Sequence, residues 1–109
     1  MIRVKPSKIE GVGLFTEVNL KVGTRIRIFQ KDDISIRNEV TPLEARICLK
    51  QGKNWNCPKS FDCMSIGWLI NHSKTPNGHL GDDDFVVDQD ILEGQELLID
   101  YADLGQDVE

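Results

Sequence analysis

The chain lacks most of the features that would assign it to a class at sight. No apolar run approaches the roughly 18 residues of a membrane-spanning helix, and Arg3, Lys5 and Lys8 fall where a secretory leader needs an apolar core. The expectation is a soluble, intracellular protein, cytoplasmic or nuclear, with no membrane contact. Cysteine is scarce, and Cys48, Cys57 and Cys63 are odd in number and form no C-x-x-C pair, which argues against a disulfide framework. Free thiols in a reducing compartment fit that pattern. A site built from Cys57, Cys63, His72 and His79 matches no structural zinc spacing, so no metal is expected. Aromatic residues are few: besides Tyr101, the single tyrosine, there are only Trp55, Trp68, Phe15, Phe29, Phe61 and Phe85.

Cations nearly vanish from the second half. Residues 1 to 60 hold 12 Lys/Arg against 6 Asp/Glu, whereas residues 61 to 109 hold 1 against 12. If the two segments interleave in space, the asymmetry cancels. If they do not, an acidic face results that attracts a basic peptide and repels nucleic-acid phosphate. No direct nucleic-acid binding is therefore expected.

At 109 residues the chain is one domain with room for a modest core. Thr24 to Phe29 alternates polar and apolar residues, with Ile26 and Ile28 on one face, and reads as a half-buried strand. Gly13–Thr16, Ile34–Ile36, Phe85–Val87 and Glu96–Ile99 are further short strands between Gly, Asp and Asn, so the chain is mainly β with one or two short helices. Thr41-Pro42-Leu43-Glu44 offers an N-cap, a first-turn proline and a capping-box Glu; Leu43 and Ile47 follow at helical spacing, and Gly52 can end the helix. Residues 53 to 63 have no periodicity and read as a long loop, a feature compact domains tend to retain for function. Val22-Gly23-Thr24 and Glu93-Gly94-Gln95 both introduce strands.

Three pieces need a joint explanation: Glu10-Gly11-Val12-Gly13-Leu14-Phe15, then Asn71-His72-Ser73 with Pro76-Asn77, and Glu96-Leu97-Leu98-Ile99-Asp100-Tyr101. The G-x-G enters a strand rather than opening a helix, so it is no dinucleotide fingerprint. It offers a backbone that a ligand can approach closely. Asn71 and Ser73 alone could be a turn whose side chains bond nearby backbone, and His72 alone could be a structural hydrogen-bonder.

In this order the pieces resemble the SET domain, the fold of S-adenosylmethionine-dependent protein lysine methyltransferases, over most of the chain from about Ser7 to Tyr101. The resemblance implies a SET-domain, β-clip-like fold with knot-like threading of the C-terminal strand under the Asn71–His72 loop. Residues 1–109 would be a single SET-like domain, with a motif-bearing core over about 7–101 and a polar tail over 102–109. By the same resemblance, backbone around Glu10, Gly11, Val12 and Gly13, the Asn71 side chain and the His72 backbone bind S-adenosylmethionine. Pro76 and Asn77 shape the loop. Tyr101 is the catalytic residue, where the lysine amine meets the methyl group, and Ile99 and Trp68 belong to the substrate lysine channel.

The chain departs from many relatives in two ways. Ile99 stands where they carry Phe or Tyr, which implies apolar room for more than one methyl. Lys74 replaces a cysteine after Asn-His-Ser, and no cysteine follows Cys63, which implies a minimal, metal-free form like the short viral and bacterial members. A homodimer partner or the loop around Trp55 and Phe61 would then close the channel. The expected activity is methylation of a lysine in a basic protein segment, such as a histone-like tail or ribosomal protein. The alternatives are a SET-like binding module for a basic peptide that does not turn over, and a small β-rich interaction domain with a fortuitous motif set.

Overall fold

The computed structural model describes residues 1–104. Alternation in the sequence is realised as short strands with one buried face. Phe85 and Val87 point inward from β9 (Asp84–Val87), Leu97 and Ile99 from β10 (Glu96–Ile99), and Ile26 from β3 (Arg25–Arg27). With Leu14, Leu20, Ile28, Ile70 and Ile91 they form one core.

Among the described residues ten strands make three small sheets. The first has the order β1-β2-β10-β7, from β1 (Ile2–Pro6), β2 (Val12–Thr16), β10 and β7 (Asn71–His72). The second is β3-β9-β8, with β8 (Gly78–Gly81). The third is β4-β6-β5, from β4 (Ser35–Arg37), β5 (Leu49–Gln51) and β6 (Asn54–Cys57). In the first sheet β10 is antiparallel to β2, through Leu97 opposite Leu14, and parallel to β7, through Leu98 opposite Asn71 and Ile99 opposite His72. A strand near the end of the chain thus lies between two that precede it. The repeated Gly23 and Gly94 turns share one conformation, φ +89° and +88°, which an L side chain rarely adopts.

Two expectations are corrected here. The helix starting at Thr41 is a single 3-10 turn, Glu44–Arg46, although its capping box forms: the Glu44 amide donates to Thr41 Oγ1 at 3.2 Å and the Thr41 amide to Glu44 Oε1 at 3.0 Å. Leu43 is 74% exposed, so a longer helix would have no apolar face to bury, and short helices depend on such burial. Residues 49–51 instead pair as β5 with 54–56 of β6, and part of the supposed 53–63 loop becomes the middle strand of its sheet.

That hairpin also corrects the cysteine reading, because Cys48 and Cys57 form a disulfide and only Cys63 is a free thiol. The antiparallel register that sets Leu49 opposite Asn56 brings the two cysteines together, with Cα atoms 4.6 Å apart. Nothing in the spacing announces it, since the strands that create it were not legible. The polar tail expected over 102–109 starts as a 3-10 turn, Tyr101–Leu104, and the remainder lies outside the described residues. Among the described residues no helix is long and apolar enough to cross a membrane.

Candidate functional site

The site is built where β2, β7 and β10 meet. Asn71 lies on β7 with its side chain nearly buried, and its amide nitrogen faces three acceptors: Glu96 Oε2 at 2.7 Å, Val12 O at 3.0 Å and Glu10 O at 3.4 Å. Three acceptors fix which end of the amide is nitrogen. Asn71 Oδ1 therefore points away from them, and among the described residues no donor reaches it. Ser7 Oγ donates to the other Glu96 oxygen at 2.8 Å, and the Ser7 amide to Gly11 O at 2.9 Å, which folds residues 7–11 over the end of β10. A Cβ on Gly13 would collide with the Glu96 carboxylate and the Asn71 amide, so the second glycine of the G-x-G is required by protein packing.

The Asn77 side chain substitutes for a strand. Its amide donates to Glu96 O at 2.8 Å, and its Oδ1 accepts from the Leu98 amide at 2.9 Å, continuing the ladder that β7 begins. The Ser73 amide donates to Ile99 O at 2.9 Å. His72 Nδ1 accepts from the Tyr101 amide at 2.9 Å, which leaves the ring proton on Nε2, and the two rings lie 5.1 Å apart. Most of the polar segment from Asn71 to Asn77 therefore holds the C-terminal strand.

Tyr101 is carried past the end of β10 so that its hydroxyl donates to Ile70 O at 2.6 Å. Burial, with the negative charges of Glu10 and Glu96 adding to it, pushes its pKa up to about 12. The hydroxyl is neutral at physiological pH, and among the described residues no donor reaches its oxygen.

A cavity of about 710 Å³ is bounded by Glu10, Gly11 and Val12 on one side and by Ile70, Asn71 and Tyr101 on another. Its far wall is residues 45–50 and Trp55, from the third sheet and the turn before it. A second pocket of about 290 Å³ has Phe29, Leu80 and Trp68 among its apolar lining and Asp32, Asp82 and Asp83 among its polar lining. Trp68 and Leu49 line both spaces and form the partition between them. Asp33 anchors that partition: its Oδ2 accepts from the Ser65 amide and hydroxyl, each at 2.7 Å, and from the Trp68 indole at 3.2 Å, while Oδ1 accepts from the Lys59 amide at 3.1 Å. Burial raises its pKa, but these donors outweigh it and leave the carboxyl below the ordinary aspartate range.

Of the residues singled out from the sequence, Glu10, Gly11, Val12, Asn71, Trp68 and Tyr101 line the larger cavity. Gly13 and His72 do not line it, but Gly13 packs against Asn71 and Glu96, and His72 holds the Tyr101 amide. Ile99 does not face it: the side chain is wholly buried in the core. Sequence reasoning misses the role of Glu96, which enters it only as the start of a motif, and the roles of Ser7 and of the 45–50 wall. Position in the third motif was the one available signal for Glu96, and none marked the others.

The SET domain model matches residues 11–102. Among solved structures, the chain resembles a candidate histone methyltransferase of Plasmodium falciparum at 20% identity and a TM-score of 0.58, covering 93% of this chain and 96% of that one. It also resembles a humanized mutant of the Chaetomium thermophilum Polycomb Repressive Complex 2 bound to an inhibitor, at 19% identity and a TM-score of 0.66, over 94% of this chain and 15% of that one. CpSET8 from Cryptosporidium matches at 19% identity and a TM-score of 0.57, over 92% of this chain and 56% of that one. No curated protein matches the chain in sequence. The structural likenesses show the fold, and with the family match over 11–102 they lead to one conclusion: the chain belongs to the SET domain family.

Proposed function

We propose that this chain is an S-adenosylmethionine-dependent protein lysine N-methyltransferase acting on a basic protein segment. The observation that carries the reading is one cavity bounded by Glu10–Val12, Asn71 and Tyr101, partitioned by Trp68 from a second pocket with acidic lining. The larger space falls within the range of small-molecule sites. Its chemistry suits a zwitterionic, cationic cofactor: Asn71 Oδ1 is an uncommitted acceptor for an ammonium group, and the charges of Glu10 and Glu96 favour a cation near Tyr101.

Bound there, S-adenosylmethionine supplies an electrophilic methyl group on a cationic sulfur. The chain's own residues do the rest. A lysine amine attacks only when neutral, and its free pKa is about 10.4, so it must lose its proton on leaving water. Tyr101 remains a phenol, with its proton committed to Ile70 O, so its oxygen orients the amine as a hydrogen-bond acceptor and does not act as a strong base. Holding amine and methyl in line supplies much of the acceleration. The lysine reaches Tyr101 past Trp68 from the acidic pocket, where Asp32, Asp82 and Asp83 favour basic flanking residues.

A second reading, a SET-like module that binds a basic peptide without turnover, is favoured by the burial of Ile99 in the core, which takes away a side chain expected to line the lysine channel. The test is calorimetric titration of wild type and Asn71→Ala with S-adenosylmethionine, followed by methyl transfer to a panel of lysine-rich protein segments with Tyr101→Phe as control. Saturable binding that Asn71→Ala loses, with turnover that Tyr101→Phe loses while still binding, supports the enzyme. Binding without turnover supports the module, and no binding at millimolar ligand overturns the cofactor site.

A further inference from the structure

The wall of the larger cavity has almost no core of its own. Between residues 31 and 60 the only buried side chains are Cys48, Cys57 and Pro58, while Ile34, Ile36 and Leu43 are exposed. Among the described residues, strands β4, β6 and β5 pair with one another and with no other strand. The polar ties in this segment are mostly internal, such as Arg37 Nη1 to Glu44 Oε2 at 2.7 Å and Asn56 Nδ2 to Gln51 Oε1 at 2.9 Å. The Cys48–Cys57 disulfide closes the open end of the β5–β6 hairpin, just before β5 starts and where β6 ends, and its two cysteines are among the few buried side chains of the segment. Cys48 is itself among the residues lining the cavity, as are its neighbours Ile47, Leu49 and Lys50.

We propose that the Cys48–Cys57 disulfide is a redox gate on this cavity: closed, it holds the 45–50 wall against the ligand, and its reduction loosens the wall and weakens binding. The reductant is a dithiol. It passes two electrons and two protons to the S–S bond, which breaks to two cysteine thiols, and is itself oxidised to a disulfide. By reciprocity, a ligand that prefers the closed wall makes the disulfide harder to reduce. The inference rests on the reading of the cavity as the S-adenosylmethionine site.

The test uses the full chain carrying Cys63→Ser, which removes the exposed thiol that would otherwise enter exchange. S-adenosylmethionine is titrated calorimetrically into the oxidised protein, into the protein reduced with dithiothreitol, and into a Cys48→Ser/Cys57→Ser variant, with amide hydrogen exchange measured on each. The expected result is roughly tenfold weaker binding after reduction, within the range usual for coupled equilibria. The double variant binds as weakly with or without dithiothreitol, and faster exchange is confined to residues 45–57. Equal affinity of oxidised and reduced protein overturns the gate while leaving the cofactor site standing. Faster exchange throughout β2 and β10 on reduction also overturns it, because the disulfide would then hold the whole fold. No binding by the oxidised protein overturns the cofactor site, and the gate with it.

Discussion

At the scale of the residue, the single tyrosine gives a direct optical readout of the site. Burial and two nearby carboxylates favour the neutral phenol, so tyrosinate absorbance is expected to rise with a midpoint near 12 rather than near the free value of about 10. The sign for stability follows: a raised pKa contributes stability fully present below about pH 10, which is lost as the pH climbs through 12. A midpoint near 10 in the folded protein would place the ring in water and remove it from the cavity wall. Asn71 and Tyr101, which line the larger cavity, were legible because they sit in compact, unusual motifs. The residue that orients Asn71 was not: Glu96 lies 25 positions away and meets it only because β7 and β10 run side by side.

At the scale of the element, the partition between the two cavities hangs on one carboxylate. Asp33 receives four hydrogen bonds from Lys59, Ser65 and Trp68, and so ties the chain after β3 to the segment entering the 3-10 turn Ile66–Leu69. Asp33→Ala strands these donors and is expected to cost roughly 1–3 kcal/mol, measured by urea unfolding. Because its pKa is depressed, the stability Asp33 supplies is present above the ordinary aspartate range and is lost as the pH falls through the lowered value. A variant as stable as wild type would show that Trp68 is held by packing alone, including its edge-on contact with Phe29 at 5.6 Å. Strands with clean alternation, such as Glu96–Ile99, were read from the sequence with their bounds intact. The segment after Thr41 was not, because its local signals for a helical start are real and are satisfied for one turn, after which pairing with residues 54–56 prevails.

At the scale of the whole molecule, the charge asymmetry of the sequence is partly cancelled and partly kept. Arg25 pairs with Asp84 at 3.1 Å and Lys21 with Asp90 at 3.7 Å, so some basic residues of the first half neutralise acids of the second. Among the described residues no cation pairs with Asp32, Asp82 or Asp83, and all three line the smaller pocket. Association with a lysine-rich peptide is therefore expected to slow with rising salt, and Asp82→Asn/Asp83→Asn should slow it at low salt and flatten that dependence, as stopped-flow kinetics can show. Rates indifferent to both salt and substitution would move the peptide elsewhere. Three separated motifs made the family legible, whereas the distribution of charge could only come from knowing which strands are neighbours.

The place of β10 has a consequence in time. β2 and β7 cannot be joined until β10 arrives between them, so contacts at the site reach across 89 residues, as between Ser7 and Glu96, and such non-local pairing is slow to form. During synthesis the growing chain carries Asn71 and the glycine segment long before either has its partner. Until Glu96 to Tyr101 have left the ribosome, Asn71 lacks the carboxylate that orients it and His72 the amide it accepts from, so these contacts are completed together, not by degrees.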